Sequence, residues 1–120
     1  MGGQDAFENL HDALAREVNE ETGVKIIRDQ LFLIREYIGK NHEFTEDDKD
    51  LHFVEFMFLC RALDDQVKTT IPDANQVDVE WIKYSELKSI NLFPNVLREI
   101  LFSYLVNKAS PPKIYLGDVN

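Results

Sequence analysis

Three glutamates near the start of this 120-residue chain are its clearest candidates for chemistry. Glu17, Glu20 and Glu21 are spaced i, i+3 and i+4, which places their carboxylates side by side on one surface of a helix. At an effective dielectric constant of about 20, two like charges about 5 Å apart repel each other by roughly 3 kcal/mol. Protonation, a basic partner or a bound cation would relieve this repulsion. Arg16 is adjacent, but one arginine does not neutralise three carboxylates.

A helix that positions these glutamates is predicted from Leu10 to about Glu21. Asn9 suits the N-cap, with Asp12 three residues later, and Gly23 suits the position after the helix end. On a helical wheel, two of the three glutamates fall inside the apolar sector and the third borders it. Hard oxygen ligands clustered in this way suit Mg²⁺ or Mn²⁺. The alternative is a solvated, partly frayed helix end.

The rest of the chain predicts strands and one further long helix. Residues 51–63 are apolar on both alternating faces, which is typical of a central strand covered on both sides. Cys60 is expected to pack there as a small hydrophobic residue. The other predicted elements are strands at 24–27, 31–38 and 77–84, a loop at 39–50, a short helical turn at Ser85, a helix from Pro94 to about Asn107, and a tail at 110–120. Together they predict a single domain over residues 1–120.

Charge and composition argue against several classes of function. A formal net charge of −9 leaves the chain without the overall basic surface that binding to a nucleic-acid polymer needs. Since no apolar run reaches the roughly 18 residues of a membrane span, no membrane partner is expected. The first residues do not resemble a signal peptide, and one cysteine cannot form an internal disulfide. The prediction is a cytoplasmic, reducing compartment.

The acidic helix lies within a longer motif that begins at Gly2. Five residues separate Gly2 from Glu8, and seven more separate Glu8 from the run Arg-Glu-Val-Asn-Glu-Glu-Thr-Gly-Val at residues 16–24. This motif resembles the signature of the Nudix (MutT-like) hydrolases, and every specified position matches. With average residue usage, such a coincidence is expected in far fewer than about one window in a million. The motif covers 23 residues, and the remainder of the chain resembles the family more loosely.

The resemblance implies both a fold and a reaction. The fold is α/β (α+β), with a mixed β-sheet sandwiched between helices. The reaction is hydrolysis of a nucleoside diphosphate linked to another moiety, with Mg²⁺ or Mn²⁺ as the cofactor and metal-activated water attacking phosphorus. The partner implied is therefore a nucleotide-type small molecule.

Residue roles follow from the positions that match the family motif. The residues that correspond to metal ligands are Glu17, Glu20, Glu21 and, through its carbonyl, Gly2. Glu17, or an acid near it, is the candidate general base. Arg16 would orient Glu17 through a charge-assisted hydrogen bond, and Glu8 would assist near the metal site.

The start of the chain departs from the family pattern. In Nudix enzymes several strands precede the glycine that opens the motif, whereas here that glycine is residue 2. We therefore expect a shortened sheet that lacks its N-terminal strands and has open edges. Either a partner chain or upstream residues absent from this sequence would cover those edges, and the first predicts a homodimer. The alternative to an enzyme is a catalytically impaired remnant of the fold that acts as a ligand-binding or interaction domain.

Four further residues are candidates for contact with substrate. Glu55 lies in the apolar strand at 51–63, where a charge is costly unless it is used or paired. It is either close to the substrate or metal, or a paired, buried carboxylate. The other three candidates precede Trp81, in a region that resembles one from which family members take a base or a substrate contact: Asp73, Gln76 and Asp78.

Overall fold

The computed structural model describes residues 3–42, 46–64 and 79–120. Its long elements are two helices and three strands, joined by short 3₁₀ turns at Gly39–Asn41 and Tyr84–Glu86. In chain order they are α1 (Leu10–Thr22), β1 (Ile26–Ile38), β2 (His52–Ala62), α2 (Asn95–Asn107) and β3 (Tyr115–Asp118). The strands form one sheet in the order β2-β1-β3. The predicted α+β class with a mixed sheet is therefore confirmed.

Helix α1 begins and ends where the sequence predicts. The Asn9 side chain accepts a hydrogen bond from the backbone N–H of Asp12, with an N···O distance of 2.8 Å. At the other end Gly23 has φ 76°, a left-handed conformation that glycine adopts without the steric cost of a side chain. Its N–H donates to the Asn19 carbonyl at 2.8 Å. The two caps therefore fix the length of the helix that bears the acidic residues.

The sheet is mixed because β1 pairs differently with its two neighbours. Just beyond the ends of β1 and β2, Gly39 N–H donates to the Leu51 carbonyl and Leu63 N–H donates to the Lys25 carbonyl, both at 2.8 Å. The end of β1 thus meets the start of β2, and these strands are antiparallel. In contrast, β1 and β3 are parallel.

The prediction of separate strands at 24–27 and 31–38 was wrong, since β1 is one continuous strand. The polar run between them suggested a break, but in β1 these side chains are exposed or paired. Arg28 and Gln30 are exposed, and Asp29 is paired with His11 at 2.5 Å. A strand tolerates polar residues wherever their side chains reach solvent or a partner.

The prediction that residues 51–63 form the central strand was also wrong. Among the described strands β2 lies at the edge of the sheet and β1 occupies the centre. Val54 is 51% exposed and Phe56 is 45% exposed, so one face of β2 lacks the expected cover. Cys60, predicted to be packed, is exposed as well. Apolar content on both faces does not fix a strand's place in the sheet, because that place depends on pairing between distant segments.

The described part of residues 77–84 does not form the predicted strand. Residues 79–83 are irregular, and the 3₁₀ turn then begins at Tyr84. Residues 77 and 78 lie outside the described ranges. The helical turn predicted at Ser85 and the helix predicted from Pro94 to Asn107 are both confirmed, with Pro94 at the N-cap of α2.

Residues 110–120, predicted to be a tail, instead contain β3. Ile34 and Glu36 of β1 are in register with Tyr115 and Asp118 of β3. Four residues that include glycine and aspartate have low strand propensity, so local sequence gave no sign of this pairing. Side-chain bonds compensate for the short ladder.

Asp118 binds the turn that follows β1. Its carboxylate accepts from Asn41 Nδ2 at 3.0 Å and from the Ile38 N–H at 2.9 Å, and it contacts His42 Nε2 at 2.6 Å. These bonds, led by those from Asn41 and His42, lower the pKa of Asp118 to about 2. Asp118 therefore stays ionised at neutral pH and holds β3 to the end of β1.

The chain divides into two compact units, residues 1–30 with 59–81 and residues 31–58 with 82–120. In the first unit Ala13 and Val24 are buried. In the second, Leu33 is fully buried, and the rings of Phe32 and Tyr104 meet edge to face at 5.3 Å. The single domain over residues 1–120 stays a prediction.

We expect Asp118→Asn to destabilise the chain in a pH-dependent way. Because folding lowers the pKa of this carboxyl from 3.8 to about 2, its stabilising contribution is fully present above the ordinary pKa and is lost as the pH falls through the folded value. Urea unfolding should show the largest gap between wild type and variant at about pH 7, and the gap should close near about pH 2. The control is Asp50→Asn, at an exposed aspartate. A gap that is the same at both pH values would contradict the role of Asp118.

Candidate active site

Arg16 is the centre of the charged surface of α1. Its Nε and Nη2 donate to the two carboxylate oxygens of Glu8 at 2.9 and 3.0 Å, which is a bidentate pair. Its Nη1 donates to Glu17 at 2.8 Å and to Glu20 at 3.3 Å. One guanidinium thus joins three of the acids that the sequence singled out. The hydrogen bond expected between Arg16 and Glu17 is present.

The same arginine holds the segment that precedes α1. Arg16 Nη2 donates to the Gly3 carbonyl at 2.9 Å, and Nε lies 3.5 Å from a carboxylate oxygen of Asp5. The backbone N–H of Asp5 in turn donates to Glu8 at 3.0 Å. Glu8 therefore fixes Arg16 from one side, and Arg16 positions the loop before the helix.

These contacts leave the surface negatively charged. The carboxylates of Glu8, Glu17 and Glu20 carry three negative charges against one positive charge on Arg16, a net charge of −2. The hydrogen bond from Arg16, followed by that from the Asp5 backbone, holds the pKa of Glu8 below its usual value. The hydrogen bonds to Glu8 and Glu17 raise the pKa of Arg16 above its usual value. The ion pairs thus keep both Arg16 and Glu8 charged at neutral pH.

The burial of α1 follows the helical wheel. Side chains of Glu17 and Glu20 are 22% and 32% exposed, while on the opposite face Asp12 and Ala15 are exposed and Asn19 is half-buried. The two glutamates therefore lie where repulsion between like charges is poorly screened by water. Sequence periodicity alone placed them correctly.

The acidic residues have the right chemistry for a hard divalent cation, but they do not form a preassembled cage. Within the described ranges, no three His, Cys, Asp or Glu side chains are grouped as a metal site. The bonds from Arg16 reach one oxygen of Glu17, whereas both oxygens of Glu8 are engaged. Carboxylate oxygens and residual negative charge are what Mg²⁺ requires. The residues present therefore fit such an ion.

A recess of about 400 Å³ borders α1, and the sequence gave no warning of it. Most of its lining is apolar, and three separate segments supply it: Val18 and Thr22 from α1, Cys60 at the end of β2, and Trp81. Trp81 is 58% exposed. Although Cys60 as a residue is exposed, partial burial of its thiol, with a smaller effect of Asp29, raises the pKa of that thiol. Only folding brings these segments together.

The remaining predicted residues have different outcomes. Glu55 accepts a hydrogen bond from Arg35 Nε at 2.9 Å, and the Arg35 side chain is only 8% exposed. Glu55 is therefore paired, although its side chain is half-buried and not buried as the alternative predicted. Its contact with substrate or metal stays a prediction. The predicted residues that lie outside the described ranges, and so stay predictions, are Gly2, Asp73, Gln76 and Asp78.

Comparison with known proteins identifies the family of this chain. A family model described as the NUDIX domain matches residues 1–104. That span contains the acidic helix and all of the residues that line the recess, and it ends before β3. No curated protein matches the chain. Neither helix in the described ranges is long and apolar enough to cross a bilayer.

We expect Mg²⁺ or Mn²⁺ to raise the melting temperature of the chain. An ion that binds only the folded state stabilises it by about 2.7 kcal/mol at 100 times its Kd. Combining Glu20→Gln with Glu21→Gln should abolish the rise, because amides lack the charge that attracts the ion. Thermal melts with and without metal measure this, with Asp12→Asn on the exposed face of α1 as the control. An unchanged metal response in the double variant would remove these residues from the site.

Proposed function

Because this chain belongs to the Nudix family, we propose that it is a divalent-metal-dependent hydrolase. Its substrate would be a nucleoside diphosphate linked to another moiety, cleaved at the pyrophosphate by attack of water on phosphorus. The observation that supports this proposal most directly is the ion pair of 2.8 Å between Arg16 and Glu17 within the acidic surface of α1. It gives Glu17 a fixed orientation, as a group that reacts with water needs.

In this proposal the metal ion supplies positive charge and an activated water, and the protein positions the carboxylates. Mg²⁺ or Mn²⁺, held by Glu17, Glu20 and Glu21 with the Gly2 carbonyl as a further candidate ligand, would neutralise phosphate charge and make bound water more acidic. The protein keeps the carboxylates of Glu17 and Glu20 close together, because both bind the same nitrogen of Arg16. Glu17 would accept the proton of the attacking water. Its orientation is set by Arg16, which binds one of its oxygens.

Glu8 acts through Arg16 in this proposal. Both of its oxygens bind the guanidinium, so it is a positioning residue for Arg16. The side chain is 16% exposed, which shields the bidentate pair from water. Loss of Glu8 would let Arg16 change its orientation and, with it, the orientation of Glu17.

The recess beside α1 supplies a place for the rest of the substrate. Its apolar lining and the exposed ring of Trp81 suit a flat, weakly polar group such as a nucleobase. Val18 and Thr22 line it from the helix that bears Glu17 and Glu21. A base in the recess would therefore place its attached phosphates near the acidic residues.

We also propose a homodimer in the cytoplasm. Edge strand β2 exposes Val54 and Phe56, and exposed apolar edges are common surfaces for association. A single cysteine suits a reducing compartment. The other candidate function, a ligand-binding or interaction domain without turnover, keeps the same acidic surface and recess.

Glu17→Gln should reduce turnover at least about 100-fold, the scale of a lost general base. Arg16→Ala should cost less, because Arg16 orients the base and does not take the proton. The measurement is Mg²⁺-dependent hydrolysis across a panel of nucleoside diphosphate derivatives, with Glu99→Gln on the exposed surface of α2 as the control. Full activity of Glu17→Gln would refute its role. Metal binding by the wild type without turnover of any derivative would favour the ligand-binding domain.

Trp81→Ala should raise KM and leave kcat nearly unchanged. Stacking of a base on an aromatic ring is worth about 1–3 kcal/mol, so we expect a KM increase of about tenfold. Trp81→Phe keeps an aromatic face and should retain most of the affinity. Steady-state kinetics on the best substrate of the panel decides between these outcomes. Equal KM values for all three proteins would place the base elsewhere.

A further inference from the structure

We propose that the recess beside α1 is a polarised site that binds a nucleoside monophosphate without metal, with the phosphate at Arg61 and the base at Trp81. The inference rests on the proposed function, since it takes this ligand to be the nucleotide half of the substrate. It goes further by assigning a residue to the phosphate and a direction to the ligand. All the residues that line the recess belong to the unit formed by residues 1–30 and 59–81.

Arg61 lines this mostly apolar recess without an acidic partner. Among the described residues it has no hydrogen bond and no ion pair. In contrast, Arg16 and Arg35 both bind carboxylates. A guanidinium presents five N–H donors in a planar fork that matches the oxygens of a phosphate. Arg61 is therefore available to an anion that enters the recess.

Glu80 adds the opposite charge to the lining of the same recess. Its carboxylate does not pair with Arg61, and in the part of the chain that the structure describes it has no other hydrogen bond or ion pair. Glu80 adjoins Trp81, whereas Arg61 lies at the end of β2. A phosphate is attracted by the arginine and repelled by the glutamate. The unpaired charges therefore favour one direction of binding, with the phosphate at the end of β2.

The size and the apolar lining of the recess suit the rest of a nucleotide. Its volume of about 400 Å³ lies within the range of about 300–1,000 Å³ that is usual for small-molecule sites. The exposed ring of Trp81 offers a face on which a base can stack. A nucleoside monophosphate has one flat, weakly polar end and one anionic end, which match Trp81 and Arg61. Inorganic phosphate alone would leave the apolar lining uncovered.

The acidic surface of α1 gives Arg61 a specific part in binding without metal. The acids around Arg16 leave a net charge of −2 there, which repels a phosphate when no cation is bound. Arg61 supplies a positive charge that does not depend on metal, because a guanidinium is charged at neutral pH. Binding in the presence of a chelator therefore separates the contribution of Arg61 from that of the metal.

The fluorescence of Trp81 reports on this binding, because Trp81 is the sole tryptophan of the chain. The common ribonucleosides and their monophosphates would be titrated into the full-length protein in EDTA. We expect the best-bound nucleoside to quench the fluorescence and its monophosphate to bind at least about tenfold more tightly, the scale of a hydrogen bond to a charged group. Arg61→Gln should remove this preference without changing the affinity for the nucleoside, which also shows that the variant is folded. Arg28→Gln, at an exposed arginine outside the recess, is the matched control and should keep the preference.

Glu80→Gln tests the direction of binding. Removing the negative charge should raise the affinity for the monophosphate at least about twofold and leave the affinity for the nucleoside unchanged. Glu86→Gln, at an exposed acid outside the recess, should change neither affinity. A loss of monophosphate affinity in Glu80→Gln would mean that this carboxylate binds the ligand directly, which would overturn the proposed polarity.

The outcomes separate this inference from the proposed function. Equal wild-type affinities for nucleoside and monophosphate, or a preference that survives Arg61→Gln, would overturn the role of Arg61, and metal-dependent turnover would still support the hydrolase. A preference that Arg61→Gln removes, in a protein that hydrolyses no derivative, would support the polarised site while the hydrolase proposal fails. If neither type of ligand quenches Trp81, the recess is not the nucleotide site and the inference is refuted.

Discussion

The acidic surface of α1 depends on one guanidinium that binds more carboxylates than it can neutralise. Arg16 holds Glu8 through two bonds and reaches Glu17 and Glu20 through a third nitrogen. Without it, like charges on a partly buried face would repel and the end of the helix would fray. With it, the carboxylates stay close together and a net negative charge remains. The same constraint thus stabilises the helix and creates the attraction for a cation.

A second arginine, Arg35, joins polar groups of different strands in the sheet in the same way. Arg35 is buried in the central strand, where it pairs with Glu55 of β2 and donates to the Val119 carbonyl after β3. Its guanidinium also lies 5.7 Å from the ring centre of Tyr37, within the range of a cation–π contact. Removing Glu55 would leave the buried charge of Arg35 without this partner, which is destabilising. One charged residue therefore links all three strands, and its burial is tolerated because it has partners.

The C-terminal segment adds an element to the Nudix domain. The family match ends at residue 104, whereas β3 begins at Tyr115 and extends the sheet on the side of β1 opposite to β2. The carboxylate of Asp118 holds this strand against the end of β1 through the Ile38 N–H, Asn41 and His42. At the other end of the connection, Lys108 caps α2 in a left-handed conformation, and its N–H donates to carbonyls in the last turn of the helix.

Local sequence determined the parts of this protein that depend on nearest neighbours along the chain. The caps at Asn9 and Gly23 fix the ends of α1, helical periodicity places the glutamates on its partly buried face, and the motif at residues 2–24 identifies the Nudix family. The position of β1 at the centre of the sheet, the strand at Tyr115–Asp118 and the recess at Trp81 were decided only by tertiary structure. Each of these arises from contacts between segments far apart in the chain. Propensity and periodicity contain no information about which distant strand or charge will become a partner. Arg35 therefore gains its partners Glu55 and Val119, and Asp118 its partners Asn41 and His42, only through the tertiary structure.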